Sequence, residues 1–197
     1  IESQAGHKLP TGYPSRRVWV KLDVYDANNQ LVFSSGAVNL DGSITGNDND
    51  LEAKKYEPHY EIINSPDQVQ IYETILHDAT GEVTTELLRS ARYQKDNRLL
   101  PSGYDKRTAA DDIAVYGFAN EDENFQANGD KIRYDFDVTG YELPFRVDVQ
   151  LLYQAIGYRW AENIAQLESL EAKRFATYYQ SIPHEPVALA EASLVVE

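Results

Sequence analysis

The stretch VWVKLDVY, residues 18–25, has the clearest strand pattern in the chain. Valine or leucine occupies every second position from residue 18, and the positions between them hold a second set that includes Trp19 and Lys21. This is the period-2 pattern of a strand buried mainly on one face. The turn-rich residues DANN follow, and QLVFSSG leads the chain back. Residues 18–35 therefore predict a β-hairpin, and the hairpin indicates an antiparallel β fold.

Three further segments favour strands. VQIYETIL (69–76) is strongly apolar and β-branched, and KIRYDFDV (131–138) and FRVDVQLLY (145–153) both alternate. We predict that the last two form an antiparallel pair, because a Gly/Pro turn at 140–144 joins them. The tail PVALAEASLVVE (186–197) alternates again and predicts a final strand.

The period changes between residues 158 and 180, where Trp160, Ile164, Leu167 and Phe175 follow helical spacing among good helix formers. This segment predicts one helix or a bent pair. We expect residues 1–197 to form a single domain that is mainly β, an antiparallel immunoglobulin-like β-sandwich with a late helical segment at about 158–180.

Composition excludes several classes of function. The 197 residues include no cysteine, so disulfides, thiolate metal sites and CxxCH haem attachment are excluded within them. With 18 Lys and Arg against 32 Asp and Glu, the net charge is −14, which disfavours nucleic acid as a partner. No apolar run reaches the ~18 residues of a membrane span. The chain begins at Ile1 and lacks methionine, so we expect a mature form or a part of a longer protein.

The opening loop places His7 among residues that restrict the backbone. Pro10 and Pro14 fix φ angles, while Gly6 and Gly12 permit tight turns. A histidine held in one orientation is a suitable axial ligand for c-type haem iron. The alternative is that His7 only caps a turn before the first strand.

Several segments together resemble the non-haem C-terminal β-domain attached to bacterial multihaem c-type cytochromes. They are GHKLPTGYPSRRVWVKLDVYD, YEPHY, VQIYE, LLRSARYQKDNRLLPSGYD, DIAVYG and LLYQAIGYRWAEN, and they extend from about residue 6 to about residue 163. In such proteins the haems are bound by CxxCH segments upstream, and GHxxPTG follows the last of them. This chain departs from the full pattern because it has no CxxCH segment.

The resemblance implies that haem c is carried by a part outside these residues, with His7 as a distal ligand. Arg16 and Arg17 could then pair with haem propionates, since a guanidinium matches a carboxylate in a bidentate way; alternatively they are solvated charges. The implied function is support of electron transfer by covering and ligating that haem. The implied partners are the haem-bearing portion of the same protein, or a cytochrome, together with redox partners on the acidic surface. The implied location is the periplasm or the bacterial cell surface.

The acidic loop DGSITGNDNDLE, residues 41–52, partly fits the twelve-residue calcium loop. Asp48 replaces the usual apolar residue at position 8, and a strand-like segment precedes the loop, so flanking EF-hand helices are not expected. The alternative is a solvated cluster of turn residues. The oxygen donors of the predicted structural Ca²⁺ site are Asp41, Ser43, Thr45, Asn47, Asp48, Asp50 and Glu52.

The segment YEPHYE places Glu57, His59 and Glu61 on one face if it is extended. Such a trio could bind a transition metal or act as an acid/base set. The alternative is that His59 is a hydrogen-bonded structural residue, which its neighbours Pro58 and Tyr60 favour.

The chain has 14 tyrosines and two tryptophans, which suit stacking on sugars or protein surfaces. The alternative function is therefore a calcium-stabilised β-sandwich module that binds carbohydrate or protein. GxSxG, HExxH, P-loop and dinucleotide-binding motifs are absent, so we expect no enzymatic activity from this chain.

Overall fold

The computed structural model describes all 197 residues, and it is mainly β, with 31% strand and 13% helix. The antiparallel sheets and late helices agree with the predicted fold class. The strands are β1 (Arg17–Tyr25), β2 (Leu31–Ser35), β3 (Ile62–Ile63), β4 (Ile71–Tyr72), β5 (Thr74–Asp78), β6 (Val83–Thr84), β7 (Ser90–Asp96), β8 (Arg133–Tyr134), β9 (Phe145–Gln154) and β10 (Val187–Val196); the helices are α1 (Asp48–Leu51), α2 (Tyr158–Ala165) and α3 (Leu170–Gln180).

The main sheet has the strand order β10-β9-β1-β2, and β4 also pairs with β1. All of these pairings are antiparallel. The hairpin predicted at residues 18–35 is present as β1 and β2, and the predicted final strand is present as β10. A separate sheet has the order β6-β5-β7.

Strand β1 is an inner strand of the main sheet and is buried on both faces over its first half. Val18 and Val20 pack with Tyr72 and Leu99 in one cluster, while Trp19 packs in a second cluster on the other face. The Trp19 indole Nε1 donates to the Gly36 carbonyl at 3.0 Å, so its polar atom is satisfied although the side chain is fully buried.

The strand predicted at residues 69–76 divides into β4 and β5, which belong to different sheets. The break falls at Glu73, whose backbone N–H donates to the Asn97 side-chain oxygen at 3.0 Å. A side-chain acceptor therefore replaces a strand partner at this position, and the chain passes from one sheet to the next.

The predicted pairing of residues 131–138 with 145–153 is wrong. β9 pairs with β1 on one edge and with β10 on the other, so neither edge is free for the preceding segment. Only β8 forms in that segment, and it pairs in parallel with β3. The alternation there reflects burial, because the Phe136 ring stacks on Phe33 with centroids 4.5 Å apart.

The predicted helical segment forms a pair of helices, α2 and α3. The second is capped by Ser169, whose hydroxyl accepts from the Ala172 N–H at 3.1 Å and so satisfies one free donor of the first turn. Neither helix has the length and apolar character that crossing a bilayer requires.

Candidate functional site

The opening loop is fixed to the rest of the molecule directly after His7. The Lys8 ammonium donates to Asp96 Oδ2 at 2.8 Å and to the Ala114 carbonyl at 3.0 Å. Leu9 and Leu99 exchange two backbone hydrogen bonds of 2.9 Å each. The backbone that carries the imidazole is therefore held by an ion pair and a β-bridge, although the loop has no regular secondary structure.

His7 itself is exposed, and its hydrogen bond determines which nitrogen is free. Nδ1 lies 3.0 Å from the Lys8 carbonyl oxygen, which can only accept, so Nδ1 carries the proton. The neutral ring then has its lone pair on Nε2. Histidines that bind a metal through Nε2 commonly donate Nδ1–H to a backbone carbonyl in this way.

The two arginines proposed to contact propionates differ in accessibility. Arg16 is partly exposed, and its Nη1 donates to the Thr11 carbonyl at 2.7 Å across Gly12. Arg17 is only 3% exposed. Its guanidinium donates to both oxygens of Asp50 at 2.9 and 3.0 Å, and also to Gln154 Oε1 and the Gly42 carbonyl. Arg17 therefore has a structural role, and Arg16 is the arginine that an external carboxylate could reach.

Several of the predicted Ca²⁺ donors of the acidic loop are used within the chain. Asp50 pairs with Arg17 and also accepts from the Ile44 N–H at 2.8 Å. Asn47 caps helix α1, and Glu52 forms an exposed ion pair with Lys55. The remaining donors have local or surface positions: Asp41 accepts from Ser43, Thr45 is exposed, and Asp48 lies in the first turn of α1.

Glu57, His59 and Glu61 do not lie on one face, as they would in an extended segment. Glu61 is exposed, whereas Glu57 and His59 are buried and turn toward different partners. Glu57 accepts from the Tyr60 hydroxyl at 2.7 Å and from the Val69 N–H at 3.1 Å. The segment is irregular rather than a strand, so alternate residues do not share a face.

His59 instead meets two carboxylates from later in the chain. Its Nε2 lies 3.1 Å from Asp122 Oδ2 and 4.0 Å from Asp130 Oδ2. The ligand atoms of His59, Asp122 and Asp130 lie within 4.8 Å of one another, close enough to hold one metal ion. Neither aspartate follows a motif that marks it in the sequence, and this is why the sequence did not predict the cluster.

The hydrogen bonds of the ring argue against a metal at this cluster. The side-chain nitrogens of Gln70 and Asn97 face His59 Nδ1 at 2.7 and 3.1 Å. Both amides are oriented by backbone N–H groups that bind their oxygens, those of Tyr60 and Glu73. Nδ1 is therefore the acceptor, and Nε2 carries the proton that it donates to Asp122. A metal on Nε2 would require a proton on Nδ1, where two donors already point.

A lysine next to the cluster supplies positive charge near the aspartates. The Lys106 ammonium donates to the carbonyls of Ala119 and Asp122 at 3.1 and 2.6 Å. Burial raises the pKa of Asp130, although the Tyr72 hydroxyl donates to its Oδ2 at 2.6 Å. Burial lowers the pKa of His59, which favours the neutral ring. The arrangement is that of a buried polar network that joins distant segments.

A groove of about 800 Å³ lies beside the opening loop. Tyr13 and Trp160 form an edge-to-face pair there, with ring centroids 5.7 Å apart. The walls also carry apolar residues of α2 and polar groups, among them Asn163, which donates to Thr85. The groove therefore offers aromatic surface beside hydrogen-bonding groups.

No protein-family model and no curated protein sequence matches the chain. Among solved structures, the chain is similar to a penta-heme cytochrome c552 from Thermochromatium tepidum, with a TM-score of 0.50 and 16% sequence identity. The likeness covers 96% of this chain and 33% of the cytochrome chain, so the chain spans about a third of that protein's length. At 16% sequence identity, the likeness shows a shared fold alone.

Proposed function

We propose that this chain is a haem-free accessory domain of a multihaem c-type cytochrome in the periplasm or at the cell surface. It covers a haem that another part of the parent polypeptide binds through CxxCH, and it ligates the iron through Nε2 of His7. Arg16 faces a propionate of the same haem. The acidic surface receives redox partners, and the domain takes part in electron transfer without making or breaking bonds.

The geometry of His7 carries this proposal. The ring is exposed, its Nδ1–H is bound to a carbonyl, and the next two residues are fixed by the Lys8–Asp96 pair and the Leu9–Leu99 bridge. Little conformational entropy is lost when such a ring binds iron. The fold shared with part of a penta-heme cytochrome is consistent with a position beside haem-bearing segments.

The test uses the polypeptide encoded by the native reading frame that contains this chain. We expect CxxCH segments before residue 1 and covalently bound haem. The His7→Ala variant should convert one haem from six-coordinate low-spin to high-spin iron, as measured by electron paramagnetic resonance and by the visible spectrum, because the axial ligand is lost.

His77→Ala is the matched control. Its Nδ1 also lies against a backbone carbonyl, that of Asp78 at 2.8 Å, so it loses an imidazole with the same free nitrogen at a different place. The control should leave every haem low-spin. A parent protein without haem, or equal spectra for His7→Ala and wild type, would refute the ligand proposal.

The groove at Tyr13 and Trp160 favours a second candidate, a module that binds carbohydrate. An indole face beside amide and hydroxyl groups suits a sugar ring. Titration with neutral oligosaccharides should then change tryptophan fluorescence. Trp160→Ala should lower the affinity for the oligosaccharide at least tenfold. Trp19→Phe, which changes the buried tryptophan, is the control. Flat titrations of the wild-type chain would remove this candidate.

A further inference from the structure

Strand β10 forms one edge of the main sheet, and every one of its ten residues is exposed. At about 3.3 Å per residue the free edge is roughly 33 Å long. Five large apolar side chains on this strand are between 43% and 63% exposed: Val187, Leu189, Leu194, Val195 and Val196. Such an edge is a template for pairing with another strand.

The strand has few of the features that usually prevent pairing. It contains no lysine and no proline, and Glu191 is its one charged residue. Glu191 accepts a hydrogen bond from Gln150 at 2.9 Å on the neighbouring strand. One irregularity in register lies between Ala188 and Ala190, which leaves the stretch from 190 to 196 regular.

The ladder indicates which backbone groups are free. Val20 of β1 donates its N–H to the Gln70 carbonyl at 3.1 Å, away from β9. Val20 lies opposite Leu151, so Leu151 directs its own backbone groups toward β10 and Ala190. By alternation, even-numbered residues of β10 bond to β9. The N–H and C=O groups of Glu191, Ser193 and Val195 point outward.

We propose that β10 pairs antiparallel with β10 of a second copy of this chain, about a two-fold axis that passes between the two Ser193 residues. In this register outward-facing residues meet as hydrogen-bonded pairs. Glu191 lies opposite Val195, and Ala192 lies opposite Leu194. Each large side chain therefore faces a different kind of residue, and no charge faces a like charge.

The charge on the strand itself does not prevent this pairing, because Glu191 is the one charged residue of β10. The two Glu191 side chains lie four residues apart along the shared axis, about 13 Å. Exposed charges at this separation are largely screened at physiological ionic strength, where the Debye length is about 8 Å.

The pairing is independent of the proposed haem contact. The opening loop is fixed to residues 96–99, and Asn97 donates to the Ile71 carbonyl of β4 at 2.8 Å. β9 and β1 separate β10 from β4, a distance of three strand spacings or about 14 Å. Failure of one proposal therefore leaves the other standing.

The experiment is sedimentation equilibrium of the 197-residue chain from about 1 µM to about 500 µM at physiological salt, a range that covers micromolar dimers. We expect wild type to dimerise. Val195→Pro removes an outward N–H without removing a hydrogen bond to β9. It should raise the dissociation constant of the dimer at least tenfold. Val195→Thr, which keeps the N–H, is the matched control and should dimerise as wild type does.

A second variant tests the register and does not depend on proline. Ser193→Lys places two ammonium groups opposite each other at the two-fold axis, while in the monomer the lysine can pair with Asp148, which now accepts from the Ser193 hydroxyl. It should also yield monomers, with an unchanged circular dichroism spectrum. Wild type that stays monomeric throughout, or dimers that survive both Val195→Pro and Ser193→Lys, would overturn the proposal.

Discussion

At the scale of single residues, His7 and His59 show how neighbours set the protonation of the same ring. A carbonyl beside Nδ1 of His7 fixes the proton there and leaves Nε2 free. Two amide groups beside Nδ1 of His59 fix the proton on Nε2, which donates to Asp122. Only the first arrangement suits a metal ligand, so the exposed ring is the functional candidate and the buried ring is structural.

The pKa of His59 predicts a pH-dependent stability. Burial lowers this pKa, so near pH 6.5 the unfolded chain takes up a proton that the folded chain does not. The free energy of unfolding should therefore fall as the pH drops below about 6.5. His59→Gln should lower it by about 1–3 kcal/mol at neutral pH and reduce the pH slope, measured by urea denaturation between about pH 8 and pH 6.

Two comparisons make this measurement specific. Burial raises the pKa of Asp130, so the folded state takes up this proton at a higher pH than the unfolded state does. Protonation of Asp130 therefore raises the free energy of unfolding as the pH falls, which is the opposite sense, and it does so in more acidic solutions. Trp19→Phe removes a buried hydrogen bond elsewhere and should lower stability at every pH with the wild-type slope. A His59→Gln variant that kept that slope would contradict the assignment.

At the scale of elements, hydrophobic alternation indicated which face of a segment is buried but not which strand it pairs with. Residues 145–153 form a strand as predicted, yet β1 and β10 are its partners. Residues 131–138 alternate because Tyr134 and Phe136 pack against Phe33. A side chain can be buried by covering a sheet as well as by joining one, and the period-2 pattern is the same in both cases.

Gly36, directly after β2, is a position where an element depends on close approach. Its φ is +76°, and a Cβ there would lie 2.5 Å from the Val20 carbonyl oxygen and 3.2 Å from the Trp19 ring. Gly81 has a similar φ of +88° with open space around it. Gly81→Ala should therefore cost about 1–2 kcal/mol, and Gly36→Ala a further 1–3 kcal/mol, by urea denaturation.

The difference between the two variants isolates the contact from the backbone conformation. Equal losses of stability would mean that β1 and β2 can separate to accept a methyl group. The expected larger loss for Gly36 would identify the junction of these strands as a rigid part of the sheet.

At the scale of the whole molecule, net charge dominates the surface. The acids outnumber the bases by 14, and many ion pairs, such as Lys54 with Glu82, are exposed and contribute little. Self-repulsion of this kind opposes the compact state and favours cationic partners. The proposed docking of redox partners depends on this field and not on any one residue.

Added salt should therefore stabilise the chain. Raising NaCl from about 20 mM to about 300 mM should increase the unfolding temperature by roughly 2–4 °C, about 1 kcal/mol, in a thermal scan followed by circular dichroism. Sucrose, which strengthens burial without screening charge, provides a comparison. A lower unfolding temperature in NaCl would mean that local ion pairs outweigh the net repulsion.

The sequence by itself determined the β class, the hairpin, the late helical segment and the final strand, because periodicity and turn chemistry act between neighbours in the chain. Tertiary structure decided which strands pair and which polar groups meet. Arg17 forms a hydrogen bond with Asp50, 33 residues away in the sequence, and His59 forms one with Asp122, 63 residues away. Such contacts arise from the packing of distant segments and leave no local pattern, so the buried network became apparent only in the folded chain.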